Sequence, residues 1–258
     1  MRFVDTHCHL YSLPPGEGPA ALARAAARGV TRVVVPAYDQ ASWAQLPALA
    51  ALPGVFVAYG IHPWVADRSD PNQIRNSMAH AIEAATYPPV AVGEIGLDAK
   101  LGAAGPDLPT QLAVLRPQLE LAVDLGLPAI LHCRGAFAEL LTEVARFDGH
   151  LRGVLHAWSR GPELAARFTQ AGLALGLGGA VTRANARVRR AAASLPLDRF
   201  VLETDAPSIG LEGVPPAETE PHHTADIAAA LAELCGEPLE TIAEVTTSHA
   251  CRLFNLER

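Results

Sequence analysis

Several features are scarce or missing in this 258-residue chain, and each absence removes a class of protein. Basic residues are outnumbered, with 20 Lys and Arg against 27 Asp and Glu, giving a formal net charge of −7. The broad positive surface that holds a stable, non-specific nucleic-acid complex is therefore not expected. An enzyme that handles nucleic-acid ends stays open, because bound cations can dominate the field inside an acidic pocket. Cysteine is limited to Cys8, Cys133, Cys235 and Cys251, with no C-x-x-C pair. Reduced thiols are the expectation. No apolar run approaches the ~18 residues of a membrane span, and the N-terminus lacks a basic region followed by an apolar signal core. A soluble cytoplasmic protein with no membrane contact is expected. No G-x-G-x-x-G follows the first strand, which excludes the usual dinucleotide-binding form. No break in composition and no low-complexity linker divides the chain, so a single domain over 1–258 is expected, with a monomer favoured and the oligomeric state open.

What is present is a large apolar fraction, 50% of residues, in an alternating pattern. Short β-branched or apolar runs predict strands at 3–6, 32–36, 55–60, 90–94, 129–132, 153–156, 174–178 and 200–203. Ala- and Leu-rich stretches predict helices at 20–28, 41–52, 73–85, 108–125, 137–147, 162–171, 184–193, 224–235 and 239–253. Gly29, Gly126 and Gly172 follow amphipathic runs, where a left-handed helix end is common. Pro71 and Pro162 sit early in helices, where a missing N–H costs little. Eight strands alternating with helices imply parallel pairing through right-handed crossovers. Eight also closes a barrel, so the α/β class and a single (β/α)8 TIM barrel are predicted over a doubly wound open sheet. The Pro/Gly cluster at 14–19 reads as the loop after strand one. The one at 210–221 is long enough for a lid or site loop.

The polar residues at the strand ends carry the chemistry. His7 and His9 stand two apart, so they share a face, with Cys8 on the other. His62 ends strand three, Glu94 strand four, His132 and Arg134 strand five, His156 strand six, and Glu203 and Asp205 strand eight. In a (β/α)8 barrel all these ends open on one face. Imidazole suits zinc and other transition metals, while carboxylates also suit magnesium and manganese. The set exceeds one tetrahedral site, and two divalent ions (Zn, Mg or Mn) with a bridging carboxylate follow naturally. Such a pair activates water and clamps the attacking and leaving oxygens of a displacement.

Six ordered blocks resemble the TatD family of metal-dependent hydrolases. They are Asp5-Thr6-His7-Cys8-His9, Gly60-Ile61-His62-Pro63, Gly93-Glu94-Ile95-Gly96-Leu97-Asp98, Leu131-His132-Cys133-Arg134, Leu155-His156 and Glu203-Thr204-Asp205-Ala206-Pro207. The stretch from Thr246 to Phe254 resembles the family's closing helix. The resemblance implies that His7, His9, Glu94 and Asp205 hold a first metal. Glu94, His132 and His156 would hold a second, with Glu94 bridging. It further implies that Asp205 orients or deprotonates the attacking water and that His62 contacts substrate phosphate rather than metal. Phosphodiester hydrolysis at DNA ends or in small phosphodiesters is the implied reaction.

The chain departs from the family pattern in three segments. Ala157-Trp158-Ser159-Arg160-Gly161 replaces a Cys-Phe-Ser-Gly-like run, Ala99-Lys100 follows Asp98 where an aromatic residue is usual, and Thr219-Glu220-Pro221 replaces Asn-Glu-Pro. None removes a ligand; all three bear on substrate identity. A buried Glu94 needs a cation in any case, whether a metal or an arginine. Arg134 could grip phosphate through its planar fork or serve a structural ion pair. Glu203 could support a ligand from behind. Trp158 could stack on a base or line the rim. His80, His150, His222, His223 and His249 are expected outside the site. Cys8 and Cys133 should face away from it, with a soft-ligand role only if the strand register slips by one. An amidohydrolase cleaving a C–N or ester bond is the alternative enzyme. It lacks a lysine at the end of strand four, where Glu94 stands. A barrel that only stores metal is a third reading, which the water-orienting Asp205 disfavours.

Overall fold

The computed structural model describes residues 1–256; the last two positions of the expected domain lie outside the described residues. Eight strands run in chain order: β1 (Phe3–Asp5), β2 (Val30–Pro36), β3 (Val55–Tyr59), β4 (Ala91–Asp98), β5 (Ala129–Arg134), β6 (Gly153–Leu155), β7 (Leu173–Leu177) and β8 (Phe200–Leu202). Each pairs in parallel with the next. The sheet closes on itself through backbone bonds between its first and last segments. Thr6 N–H donates to Leu202 at 2.9 Å, Asp205 N–H to His7 at 2.8 Å, and His9 N–H to Ala206 at 2.8 Å. This is the expected (β/α)8 TIM barrel.

The helices are α1 (Glu17–Ala27), α2 (Gln40–Trp43), α3 (Leu46–Ala50), α4 (Pro71–Glu83), α5 (Leu108–Asp124), α6 (Phe137–Ala145), α7 (Pro162–Gln170), α8 (Arg187–Ser194), α9 (Thr224–Cys235) and α10 (Leu239–Phe254). No helix among the described residues is long and apolar enough to cross a membrane. Gly29, Gly126 and Gly172 all take positive φ. The helix expected over 41–52 is two. Pro47 lies in the first turn of α3. In a continuous helix it would lack a donor and clash with the preceding turn. Helix α1 starts earlier than expected and absorbs part of the 14–19 loop. Strand β4 runs on past Glu94 to Asp98, pairing Gly96 with His132 and Asp98 with Arg134 after a register shift.

The barrel interior is one apolar layer. Val4, Val34, Phe56, Ala91, Ile130, Val154, Ala174 and Val201 each point inward from one strand, and Ala250, Phe254 and Leu256 at the end of α10 pack onto them. That plug closes the N-terminal end of the barrel. The opposite end stays open, and there the strands bring their polar residues.

Candidate metal centre

Period-two alternation carries the inward direction from the apolar layer to the mouth. Ile130 is followed inward by His132 and Arg134, Val154 by His156, Val201 by Glu203, and Phe56 by Ala58, Gly60 and His62, while Asp205, three residues past β8, is turned inward by a positive φ. Gly176 takes the corresponding place on β7, and a Cβ there would strike the Glu203 carboxylate. The first segment breaks the parity. Val4 is interior, yet His7 and His9 also face the centre, because the regular strand stops at Asp5. Asp5 holds that bend: its carboxylate accepts from His7 N–H at 3.2 Å, Thr204 N–H at 3.0 Å and the Thr204 hydroxyl at 2.6 Å.

Glu94 is the hub. Its Oε2 lies 3.2 Å from His7 Nε2 and 3.5 Å from His9 Nε2. Its Oε1 lies 2.8 Å from His156 Nε2, 3.0 Å from His132 Nδ1 and 3.2 Å from His62 Nε2. Asp205 Oδ1 is 3.3 Å from His9 Nε2 and 3.7 Å from His7 Nε2. Three overlapping sets of donor atoms are close enough to hold an ion: His7, His9 and Asp205; His7, Glu94 and His156; and His62, Glu94 and His132. All seven side chains are buried. Ligand atoms about 2.0–2.1 Å from a tetrahedral zinc stand about 3.3 Å apart, the spacing seen here.

The far nitrogen of each imidazole sets what its near nitrogen can do. Tyr11 donates its hydroxyl hydrogen to Pro36 O at 2.9 Å, so its oxygen accepts from His9 Nδ1–H at 2.8 Å. That leaves His9 Nε2 with a bare lone pair toward Glu94 and Asp205. His132 likewise gives Nε2–H to Asp98 Oδ2 at 3.2 Å and turns a bare Nδ1 inward. Glu203 Oε1 stands 3.7 Å behind His156 Nδ1 and accepts from Ala157 N–H at 2.5 Å. His62 is the opposite case. Its Nδ1 accepts from Trp64 N–H at 3.2 Å, so the proton sits on Nε2 and the ring presents a donor.

The electrostatics fit a cation. Burial alone would raise both carboxylates, but without a metal the protonated imidazoles outweigh it, and a metal ion would take the place of those protons. His156, His62 and His7 hold Glu94 well below its usual range, and His9, His7 and His156 lower Asp205. Asp205 Oδ1 is buried and has no hydrogen-bond partner among the described residues. His7 Nε2 and His9 Nε2 face each other at 3.1 Å. These two imidazole nitrogens and an orphaned carboxylate oxygen converge on one point, where a cation would satisfy all three.

Asp98 is the functional residue that the strand-end reading passed over. It is buried, takes bonds from His132, from Trp64 Nε1 at 2.7 Å and from Lys100 N–H at 2.7 Å, and lies 3.4 Å from Arg134. Burial opposes its ionisation, but the His132, Trp64 and Lys100 bonds outweigh it and bring its pKa to about 2. Arg134 thus has both contacts open to it, an ion pair with Asp98 and an exposed fork lining the cavity. Trp158 lines the cavity from within its wall rather than at an exposed rim: it is 2% exposed and packs edge-on to Phe137 and Phe168. Trp64, 40% exposed, is the rim indole. The 210–221 segment is not a site loop, since the lining stops at Ser208 and Ile209. His222 pairs with Glu220, His223 with the Glu220 backbone and His249 with Phe200 O. Cys8 and Cys133 join none of the ligand sets.

Comparison with known proteins places this geometry in a lineage. The family model described as TatD related DNase matches residues 4–255. An uncharacterized metal-dependent hydrolase of Escherichia coli K12, YjjV, is 37% identical over 259 residues, covering 99% of this chain and 98% of its own. The Bacillus subtilis metal-dependent hydrolase YabD, also uncharacterized, is 30% identical, with 98% of each chain covered. The crystal structure of YjjV, a TatD homolog, superposes with a TM-score of 0.89 at 35% identity over 98% of both chains.

Proposed function

The chain belongs to the TatD family of metal-dependent hydrolases, and from that premise we propose that it is a two-metal phosphodiesterase acting on DNA ends or small phosphodiesters. One observation carries the reading: the two oxygens of Glu94 face two separate groups of ligand-type imidazole nitrogens, His7 and His9 on one side and His132 and His156 on the other. His7, His9, Asp205 and Glu94 would hold one ion, and Glu94, His132 and His156 the other. When bound, a pair of divalent ions supplies Lewis acidity for the attacking water and for the charge that builds on the phosphoryl oxygens.

The protein's own groups do the rest. Asp205, ionised and at the mouth, orients the water and accepts its proton. His62 donates Nε2–H to a non-bridging phosphoryl oxygen, a charge-assisted bond that strengthens as negative charge accumulates. Arg134 steadies the same phosphate with the part of its fork that Asp98 leaves free. Asp98 keeps His132 in the tautomer that ligates, and Tyr11 does the same for His9. The chain is read as one hydrolase domain of the cytoplasm, where free thiols such as its four cysteines persist.

The test is an assay of purified protein, stripped with chelator and reloaded with Mg²⁺, Mn²⁺ or Zn²⁺. Bis(4-nitrophenyl) phosphate and a DNA oligonucleotide are set against a 4-nitroanilide and a lactone. Metal-dependent release from the two phosphodiesters is expected. Cleavage of the amide or lactone alone would replace this reading with an amidohydrolase.

A further inference from the structure

The walls of the cavity over this centre are electrically lopsided. All four of its lining cations come from consecutive loops: Lys100 after β4, Arg134 at the end of β5, Arg160 after β6 and Arg183 after β7. The loops after β1, β2 and β3 line it instead with residues such as Tyr11, Tyr38, Asp39 and Trp64, and with no lysine or arginine. Lys100 is the single lysine of the whole chain. In a chain of net charge −7, its one ammonium lines this wall.

Three of these four cations have no carboxylate partner among the described residues; the fourth, Arg134, pairs with Asp98. Lys100, Arg160 and Arg183 form no ion pair among the described residues, as is also true of outer arginines such as Arg167 and Arg187, whereas Arg24, Arg28, Arg75, Arg116 and Arg146 each meet a carboxylate. Arg160 is half-buried with its guanidinium 4.9 Å over the Phe137 ring, and its Nε is buried with no hydrogen-bond partner among the described residues. Arg183 is anchored by one donor, to Gly210 O at 2.7 Å, leaving most of its fork unused. The Lys100 side chain lies against Gly135, beside Arg134. Lys100 and Arg160 also fall in two of the segments where the chain departs from the family pattern. The cavity encloses about 1020 Å³, room for more than one phosphodiester group.

We propose that Lys100, Arg160 and Arg183 form a second anion subsite, which takes a further phosphate of the substrate beyond the one that is cleaved. The preferred substrate is then an oligonucleotide or phosphorylated dinucleotide rather than an isolated diester. This rests on the phosphodiesterase reading. An unpaired arginine with a buried Nε, on a cavity wall that also carries an exposed arginine and an ammonium, is suited to holding a phosphate. The aromatic side, Tyr38 and Trp64, is left for the base.

The test compares thymidine dinucleotides TpT, pTpT and TpTp as substrates of the metal-loaded enzyme. Binding is measured in parallel, using analogues whose internal linkage is a neutral methylphosphonate. One of the two phosphorylated forms is expected to exceed TpT about tenfold in kcat/KM and in affinity, with the advantage shrinking as salt is raised. Both ratios should fall toward one in the surface double variant Lys100→Met/Arg183→Met, and also in Arg160→Met. Arg160→Lys should restore part of it. Phosphodiester cleavage without any preference for a second phosphate, or a preference that survives both variants, overturns the subsite and leaves the phosphodiesterase reading intact. Preferential binding of a phosphorylated analogue by a protein that cleaves no phosphodiester upholds the subsite and overturns that reading.

Discussion

The carboxylate of Asp98 stands 3.2 Å from Nε2 of His132, on the side of the ring away from Glu94. It decides which nitrogen of His132 carries the proton, and so whether the second group of ligands has a lone pair to offer. Asp98→Ala is expected to weaken one of the two ions about 10–100-fold and leave the other in place. Metal content after dialysis at limiting free metal should fall from two equivalents toward one. Two ions held as tightly as before would show that Asp98 does not set the tautomer.

His62 approaches Glu94 as closely as a ligand does, but Trp64 N–H occupies its Nδ1. The two roles separate in His62→Ala. Metal stoichiometry should stay unchanged while kcat/KM for a phosphodiester falls about 10²-fold, the loss of one donor to a charged oxygen. A missing metal equivalent would make His62 a ligand instead.

In the proposed mechanism Asp205 is both a ligand and the proton acceptor for water. Asp205→Asn keeps an oxygen for the metal and removes the basicity. The expectation is a folded protein that still binds metal and whose kcat drops about 10²–10⁴-fold. A rate equal to that of the parent would remove the proton-accepting role.

The layer beneath the centre is a stability element. Ile130 is buried in the barrel interior two positions before His132, with its Cβ close against Gly93 on β4. Ile130→Ala leaves a cavity with little freedom to collapse and should cost about 2–5 kcal/mol. Urea unfolding of the metal-free protein measures it directly, and a loss under 1 kcal/mol would mean that the layer repacks.

Strand periodicity explains what could be read in advance. His132 and His156 continue the inward parity of Ile130 and Val154, so a two-residue period is enough to bring them to one face. Eight runs of apolar residues likewise made the barrel legible. The rest depended on tertiary geometry. His7 and His9 share a face as expected, but only because the chain bends after Asp5, a bend set by Thr204 about 200 residues away in sequence. Asp98 stands in the strand-four block without a role, because its bonds to His132 and Trp64 exist only once the barrel is formed. The Tyr11 hydroxyl and the Trp64 amide choose tautomers through contacts made only once the loops are placed. The split of α2 from α3 at Pro47 was available locally and lost to the Ala/Leu pattern around it.

The most direct measurement is anomalous diffraction at the manganese edge from crystals grown with Mn²⁺. Two peaks about 3.5–4 Å apart are expected, with one oxygen of Glu94 on each, His7, His9 and Asp205 around the first, and His132 and His156 around the second. A single peak, or two ions with Glu94 bound to only one of them, would contradict the bridged two-metal centre.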